Sequence, residues 1–246
     1  MLLIVPCYKE GSRLPKFLED LCKAFENSNC PVLIRTVDDG SGEEEASKMQ
    51  SLVARLQMHY DFLLDPLLVQ KNQGKGGAIY SGWDTASLDE FRWVAFVDAD
   101  GAITPEETLR FLNLATEENE QKKTCLWSIR VKGEGKDINR TLIRNFLGNV
   151  FRIIVKCLFN IPVKDTQCGL KCIPLEGYQE VRNNLTEKRF VFDVELASHL
   201  VRKKYKLQQI PIDWQESPGS TVKITSAFRM AFSLIIIRLK LFLNLR

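Results

Sequence analysis

The segment "WVAFVDADGAITPEE" (residues 93–107) joins an apolar run to two aspartates that are one residue apart. An apolar run of this length predicts a buried strand, and side chains alternate between the two faces of a strand. Asp98 and Asp100 are therefore expected to point the same way where the strand ends, about 6.6 Å apart along the chain. Two carboxylates in one small volume repel each other unless a cation lies between them. The segment predicts a strand that ends in a Mg²⁺ or Mn²⁺ site.

Apolar runs rich in β-branched residues recur before this segment, and each is followed by a helix-like stretch. The alternation predicts an α/β fold with a mixed, mostly parallel sheet that is flanked by helices. Ligands of such folds bind beyond the carboxyl ends of the strands. The first four strands are followed by "PCYKEGS", "DDGSGEE", "KNQGKGGA" and "DADG". We therefore expect these polar segments to line one cleft.

The chain contains 246 residues, of which 45% are hydrophobic, and carries a formal net charge of +3. This composition provides for a buried core, and the small net charge gives no indication of nucleic-acid binding. The seven cysteines have no regular spacing, so we expect reduced thiols in a cytoplasmic protein. The apolar run of "MLLIVPCYKE" is too short for a signal peptide, so we expect the fold to begin at Met1.

Two further strand ends have residues suited to nucleotide binding. The segment "NQGKGGAI" (residues 72–79) is predicted to open a helix whose N–H groups, together with Lys75, face an anion. It is not a P-loop, because Gly76 stands where the hydroxyl residue should be. In "VDDGSGEE" (residues 37–44) the acids Asp38 and Asp39 precede a predicted helix. They either cap that helix or bind a nucleobase or a ribose hydroxyl.

A basic segment follows the predicted fifth strand. The stretch "SIRVKGEGKDINRTLIRN" (residues 128–145) contains Arg130, Arg140 and Arg144. Guanidinium groups bind phosphate through two hydrogen bonds, so a phosphorylated second substrate is predicted, with a solvated basic face as the alternative. The following residues predict one long amphipathic helix with a cationic polar face, ended by Pro162.

The segment "ITSAFRMAFSLIIIRLKLFLNLR" (residues 224–246) is apolar with interspersed arginine and lysine. Its longest apolar run is far below the ~20 residues that span a bilayer. We predict one domain over residues 1–222 and, over residues 223–246, a terminal helix that lies on a membrane surface. In the alternative, this helix packs on the core or forms a homo-oligomer interface.

Eight segments in order resemble those of family 2 glycosyltransferases of the GT-A fold. They are "VPCYKEGSRLP", "VDDGSGEE", "NQGKGGAIYSGW", "FVDADGAITPEE", "SIR…RTLIRN", "DTQCGLK", "RFVFDVELA" and "IPIDWQESPGST". The resemblance covers nearly the whole chain and is strongest to the dolichyl-phosphate β-glucosyltransferase branch, which is close to the polyprenyl-phosphate mannose synthases. It implies transfer of a hexose, with glucose favoured, from a nucleotide-diphosphate sugar such as UDP-glucose to dolichyl or polyprenyl phosphate. The enzyme would be cytoplasmic and peripherally attached to the membrane surface, and a family member with a non-lipid acceptor is the alternative.

The resemblance also implies roles for particular residues. The residues that would bind the donor are Pro6, Tyr8, Glu10, Asp39, Lys75, Asp98 and Lys223. Those for the metal are Asp98 and Asp100, and those for the acceptor phosphate are Arg130, Arg140 and Arg144. Asp165 would position the sugar or act as a general base, with Gln167 and Glu195 positioning the sugar beside it. We favour positioning, because a phosphate monoester with a second pKa of about 6 is already largely dianionic at neutral pH.

The "DADG" segment also resembles the first motif of haloacid-dehalogenase-type phosphatases. That family usually has threonine after the glycine, whereas Ala102 follows here, and its strand usually comes first in the chain. Ala102 also stands where some mannose synthases have a polar metal-shell residue, so water or another group would complete the shell. A membrane-binding protein that kept the fold without catalysis would have no need of Asp98 and Asp100.

Overall fold

The computed structural model describes residues 1–117, 123–130, 142–215 and 224–243, with the backbone alone described for residues 117, 142–150 and 224–228. The strands are β1 (Leu2–Cys7), β2 (Leu33–Asp39), β3 (Leu67–Val69), β4 (Trp93–Val97), β5 (Thr124–Arg130), β6 (Leu170–Pro174) and β7 (Lys206–Ile212). The helices are α1 (Leu14–Glu26), α2 (Glu43–Gln57), α3 (Lys75–Trp83), α4 (Pro105–Glu117), α5 (Leu142–Phe159), α6 (Leu175–Val181), α7 (Phe192–Arg202) and α8 (Ile224–Leu243).

The strands form one sheet in the order β3-β2-β1-β4-β6-β5-β7. Strand β6 pairs antiparallel with both β4 and β5, while the other pairings are parallel. The predicted α/β fold with a mixed, mostly parallel sheet is therefore confirmed. Six strands end at one edge of the sheet and β6 begins there, so the loop that enters β6 lies beside the polar ends of its neighbours.

The sheet has a hydrophobic core on each face because its central strands are apolar on both sides. Leu3 and Val5 of β1 face the core that contains α1, α2 and α4. Leu2 and Ile4 of the same strand face the second core, to which α3, α6, α7 and α8 contribute. The alternation along β1 thus assigns successive residues to opposite layers.

An aromatic cluster fixes α3, the helix that begins at the candidate site. The indole N–H of Trp83 donates to the carbonyl oxygen of Ala95, a residue of β4, at 3.0 Å. The Trp83 ring also meets the Tyr178 ring edge-on at 5.1 Å between centroids. Because Trp83 is fully buried, this end of α3 is anchored and the other end, at Lys75, has a fixed place at the edge of the sheet.

Helices α5 and α8 follow the predictions only in part. Helix α5 ends at Phe159, before the predicted stop at Pro162, because Asn160 takes up a positive φ of 48°. One face of α8 packs on the second core through Leu234, Ile237 and Leu241. No helix among the described residues combines the length and apolar content needed to cross a bilayer. The division of the chain at residues 222 and 223 stays a prediction.

A close contact between α3 and β1 gives the first testable prediction. A Cβ atom added to Gly82 would lie 2.7 Å from Cδ1 and 2.8 Å from Cγ1 of the fully buried Ile4. Gly82→Ala is therefore expected to lower the free energy of unfolding by about 1–3 kcal/mol, measured by urea denaturation. Ile4→Val removes Cδ1, so the same substitution in that background should cost less. Equal costs in both backgrounds would contradict this packing.

Candidate active site

Lys75 and Asp98 form an ion pair at the centre of the cleft. The Lys75 ammonium lies 2.6 Å from Oδ1 and 2.8 Å from Oδ2 of Asp98. Burial alone would lower the pKa of Lys75, but the charge of Asp98 and its hydrogen bond outweigh burial and raise it. The sequence predicts a cation between Asp98 and Asp100. In the structure, the ammonium group of Lys75 is paired with Asp98.

Asp100 is the carboxylate best suited to hold a metal ion. Burial, and then the charge of Asp98, raise the pKa of Asp100, so a bound cation would favour its ionised form. The N–H of Ala102 donates to its Oδ1 at 3.0 Å. The described part of the chain contains no cluster of three or more His, Cys, Asp or Glu residues that could hold a metal ion. This donor set fits a hard divalent ion that takes its other ligands from substrate phosphates and water.

Arg130 and Asp165 form a second ion pair, with two hydrogen bonds. Nε and Nη2 of Arg130 donate to the two carboxylate oxygens of Asp165 at 2.6 and 2.8 Å. Burial alone would raise the pKa of Asp165, but the hydrogen bonds and charge of Arg130 outweigh it and lower the pKa. Asp165 is therefore held as an ionised partner of arginine, which makes it a weak base.

The loop of residues 165–169 joins the two ion pairs. The N–H of Asp98 donates to the carbonyl oxygen of Gly169 at 2.9 Å. A Cβ atom added to Gly169 would lie 2.6 Å from Cγ of Asp98, so only glycine permits this approach. At the other side, the Gln167 amide donates to the carbonyl oxygen of Phe190 at 3.3 Å. The loop that contains Asp165 therefore lies directly against the carboxylate of Asp98.

Asp39 and Glu10 have partners within the protein. The two carboxylate oxygens of Asp39 accept the N–H groups of Gln73 and Gly74 at 2.8 and 2.7 Å, so Asp39 holds the glycine-rich loop in place. Glu10 is paired with Arg13, with N–O distances of 2.6 and 2.7 Å. The neighbouring positions Pro6 and Tyr8 lie at the end of β1, where Tyr8 is 46% exposed.

Glu195 is buried beneath the segment of residues 186–190. Its carboxylate accepts the N–H and hydroxyl of Thr186, both at 2.8 Å, and the N–H of Glu187 at 2.7 Å. The segment in turn packs on the glycine-rich loop, because the carbonyl oxygen of Lys188 accepts the N–H of Gly77 at 2.8 Å. Glu195 thus anchors a segment that covers the glycine-rich loop, and its predicted contact with the sugar stays a prediction.

The cations of this segment were not predicted as site residues from the sequence. Lys188 and Arg189 are exposed. Burial raises the pKa of Asp39, and the charge of Arg189 opposes that rise. The signal in the sequence was the adjacent pair of cations in "TEKRF", directly before the motif that contains Glu195. Arg140 and Lys223 lie outside the described residues, as does the side chain of Arg144. Their predicted roles stay predictions.

The sheet order and the acidic cleft at its carboxyl edge define an α/β protein of the GT-A class. A mannosyltransferase from Pyrobaculum calidifontis, solved with GDP-Man and Mn²⁺, shares this fold with a TM-score of 0.62 and 16% identity over 96% of this chain and 63% of its own. Glucosyl-3-phosphoglycerate synthase from Mycobacterium tuberculosis, solved with Mn²⁺, UDP and phosphoglyceric acid, has a TM-score of 0.70 and 12% identity. That similarity covers 96% of this chain and 76% of the synthase.

The model of glycosyl transferase family 2 matches residues 2–171, so the chain belongs to this family and is a glycosyltransferase. Dolichyl-phosphate beta-glucosyltransferase ALG5D of Trichomonas vaginalis is 32% identical over 94% of this chain and 71% of its own length. The dolichyl-phosphate beta-glucosyltransferase of Dictyostelium discoideum is 28% identical over 99% of this chain and 75% of its own. The corresponding human enzyme is 29% identical, covering 97% and 74%.

The contact between Gly169 and Asp98 gives a prediction for the site. Gly169→Ala should displace the Asp98 carboxylate and reduce Mn²⁺-dependent UDP binding, measured by calorimetry, by about tenfold or more. Because Asp98 is partly exposed and has room to move, the melting temperature should change little. Gly177→Ala is the matched control, since its Cβ atom would meet the Tyr205 ring at 2.8 Å. The control should lower the melting temperature and leave UDP binding intact, and the reverse pattern would contradict the assignment.

Proposed function

We propose that this glycosyltransferase moves a hexose, with glucose favoured, from a nucleotide-diphosphate sugar to dolichyl or polyprenyl phosphate. The observation that carries the proposal is the contact of Gly169 with Asp98, which brings the loop of Asp165 against the carboxylates of β4. A donor site and a phosphate-binding arginine are thereby adjacent, as direct transfer between two substrates requires. The relatives named above, which are dolichyl-phosphate beta-glucosyltransferases, support glucose and the lipid acceptor.

The donor would bind at the ends of β1, β2 and β4. Asp100, together with Asp98, would hold a divalent metal that, when bound, neutralises the charge developing on the nucleoside-diphosphate leaving group. The Mn²⁺ complexes among the structural neighbours support this choice. Lys75 orients Asp98 and adds a fixed positive charge at the same place. Pro6, Tyr8 and the loop held by Asp39 would form the nucleoside side of the pocket.

The acceptor phosphate would bind at Arg130. A guanidinium group has five N–H donors, and the pair with Asp165 uses two of them, so a phosphate would bind through the other donors. Asp165 fixes the orientation of this group, and its lowered pKa makes it unsuited to take up a proton. That property fits an acceptor that is already dianionic and attacks without a general base.

An exposed apolar face on α8 would bring the enzyme to its lipid substrate. It consists of Phe232, Ile235, Ile236, Leu239, Phe242 and Leu243. These positions recur with helical spacing, and the cations Arg229, Arg238 and Lys240 are exposed beside them. An apolar face flanked by cations is suited to a bilayer with anionic headgroups. The free thiols of all seven cysteines fit attachment on the cytoplasmic side.

Transfer of labelled sugar tests the reaction. With UDP-glucose and polyprenyl phosphate, label should enter the organic phase only when Mn²⁺ or Mg²⁺ is present. Asp100→Asn should reduce this transfer by about a hundredfold or more at an unchanged melting temperature, because it removes the charge of a metal ligand and keeps the size of the side chain. GDP-mannose and a water-soluble phosphorylated acceptor are run in parallel. Transfer to the soluble acceptor alone would replace the lipid by a non-lipid substrate.

Vesicle sedimentation tests the membrane surface. Phe232→Ser with Leu239→Ser, positions that are 64% and 57% exposed, should weaken binding to anionic vesicles by about tenfold. Met58→Ser is the matched control, because Met58 is 79% exposed at the C-terminal end of α2. This substitution should have no effect on vesicle binding. Wild-type binding should also fall as salt is raised. If the double variant keeps vesicle binding but loses a dimer in sedimentation velocity, α8 is an oligomer interface instead.

A further inference from the structure

Lys171 is a lysine in the middle of the sheet with 0% of its surface exposed. In register, it lies between Phe96 of β4 and Trp127 of β5. Its ammonium is 5.1 Å from the centre of the Phe96 ring and 4.8 Å from that of Trp127. Both rings attract a cation, yet removing an ammonium from water is costly and a core position is usually apolar. Lys171 therefore calls for a reason beyond packing.

The hydrogen bonds of Lys171 lead to the loop of the active site. Its ammonium donates to the carbonyl oxygen of Cys168 at 2.6 Å. Cys168 precedes Gly169, which lies against Asp98, and follows Asp165 by three residues. Lys171 thus holds the loop through the carbonyl group of Cys168. This group lies between Asp165, which pairs with Arg130, and Gly169, which contacts Asp98.

Asp193 of α7 is the acidic partner of Lys171. Its Oδ2 lies 3.4 Å from the ammonium, and only 3% of the residue is exposed. Among the described residues, Oδ1 has no hydrogen-bond partner. Burial raises the pKa of Asp193 to about 6, against the charges of Lys171 and Lys75. A buried carboxylate with one oxygen unsatisfied is a costly arrangement for stability alone.

We propose that Lys171 and Asp193 are positioning residues for sugar transfer, which fix the loop of residues 165–169 against Asp98 and Arg130. Lys171 acts through the Cys168 carbonyl; burial lowers the pKa of Lys171, and the charge of Asp193 opposes that fall and holds the ammonium in place. A buried ion pair adds little net stability, since well-packed apolar residues of similar size often replace both charges without loss. This inference rests on the proposed function for its kinetic part, whereas the position of the loop is measurable without any reaction.

The test separates stability from positioning. Lys171→Met and Asp193→Val alone each leave a buried charge without its partner, so each should lower the melting temperature strongly. The double variant removes both charges, and its melting temperature should recover most of that loss. Its kcat should nevertheless fall by about tenfold to a hundredfold, with KM for the nucleotide sugar nearly unchanged, because the loop is no longer held. A double variant that melts like the wild type and keeps kcat within about twofold would overturn the proposal.

Hydrogen exchange of the amides in residues 165–170 is the second measurement. In the double variant this segment should exchange faster than in the wild type, while α2 (Glu43–Gln57) should not change. Unchanged exchange in the loop would overturn the inference. If the wild type transfers no sugar to either acceptor, the proposed function fails, and the exchange experiment still decides the positioning role.

Two controls complete the design. Tyr178→Phe removes the hydroxyl that donates to Asp84 at 2.8 Å, at the end of α3 away from the loop. It should lower the melting temperature and leave both kcat and loop exchange unchanged, which shows that lost stability alone does not produce the effect. Lys171→Met with Asp193→Asn also removes both charges and keeps the size of the acidic side chain, so this second double variant carries the same test if the first does not fold.

Discussion

The antiparallel pairing of β4 with β6 determines the geometry of the cleft. It opposes Val97 to Leu170 and extends to the hydrogen bond between Asp98 and Gly169. Because β6 enters the sheet at the edge where the parallel strands end, its preceding loop has to pass over the acidic pair of β4. A parallel strand at this place would put that loop at the opposite edge. The direction of this one strand therefore brings the Asp98 carboxylate and the pair of Arg130 with Asp165 together.

Charge balance explains why the cleft is suited to a metal and a diphosphate. Among the described residues at its centre and directly beneath it, the cations are Lys75, Lys171 and Arg130, and the acids are Asp98, Asp100, Asp165 and Asp193. Three positive charges against four negative ones leave an excess of one negative charge. A divalent cation reverses that excess and leaves the site positive, which favours a polyanionic donor. Burial, and then the charge of Asp98, raise the pKa of Asp100, and a bound cation would oppose both effects.

The first half of the fold was predictable because the hydrophobic residues of its strands and helices recur with a clear periodicity. Each of its strands is also followed by a polar segment. Strand β6 and helix α6 were not predicted, since Lys171 interrupts the apolar run of "LKCIP" and a strand's direction leaves no local pattern. Lys75, Asp98, Arg130 and Asp165 were predicted as site residues with separate roles, and their ion pairs with one another were not predicted. Their pairing depends on contacts across 23 and 35 residues, which only the assembled sheet determines.

An acceptor that is already ionised changes what the protein has to supply. Activation of a neutral hydroxyl would require a base near neutral pKa, whereas the pKa of Asp165 is lowered by its arginine. A dianionic phosphate needs orientation and shielding from the negative diphosphate. Arg130 is suited to both, because Asp165 fixes its plane and the remaining donors point away from that pair. Under the proposed function, the main catalytic requirement on the acceptor side would be rigid support of this loop rather than proton transfer.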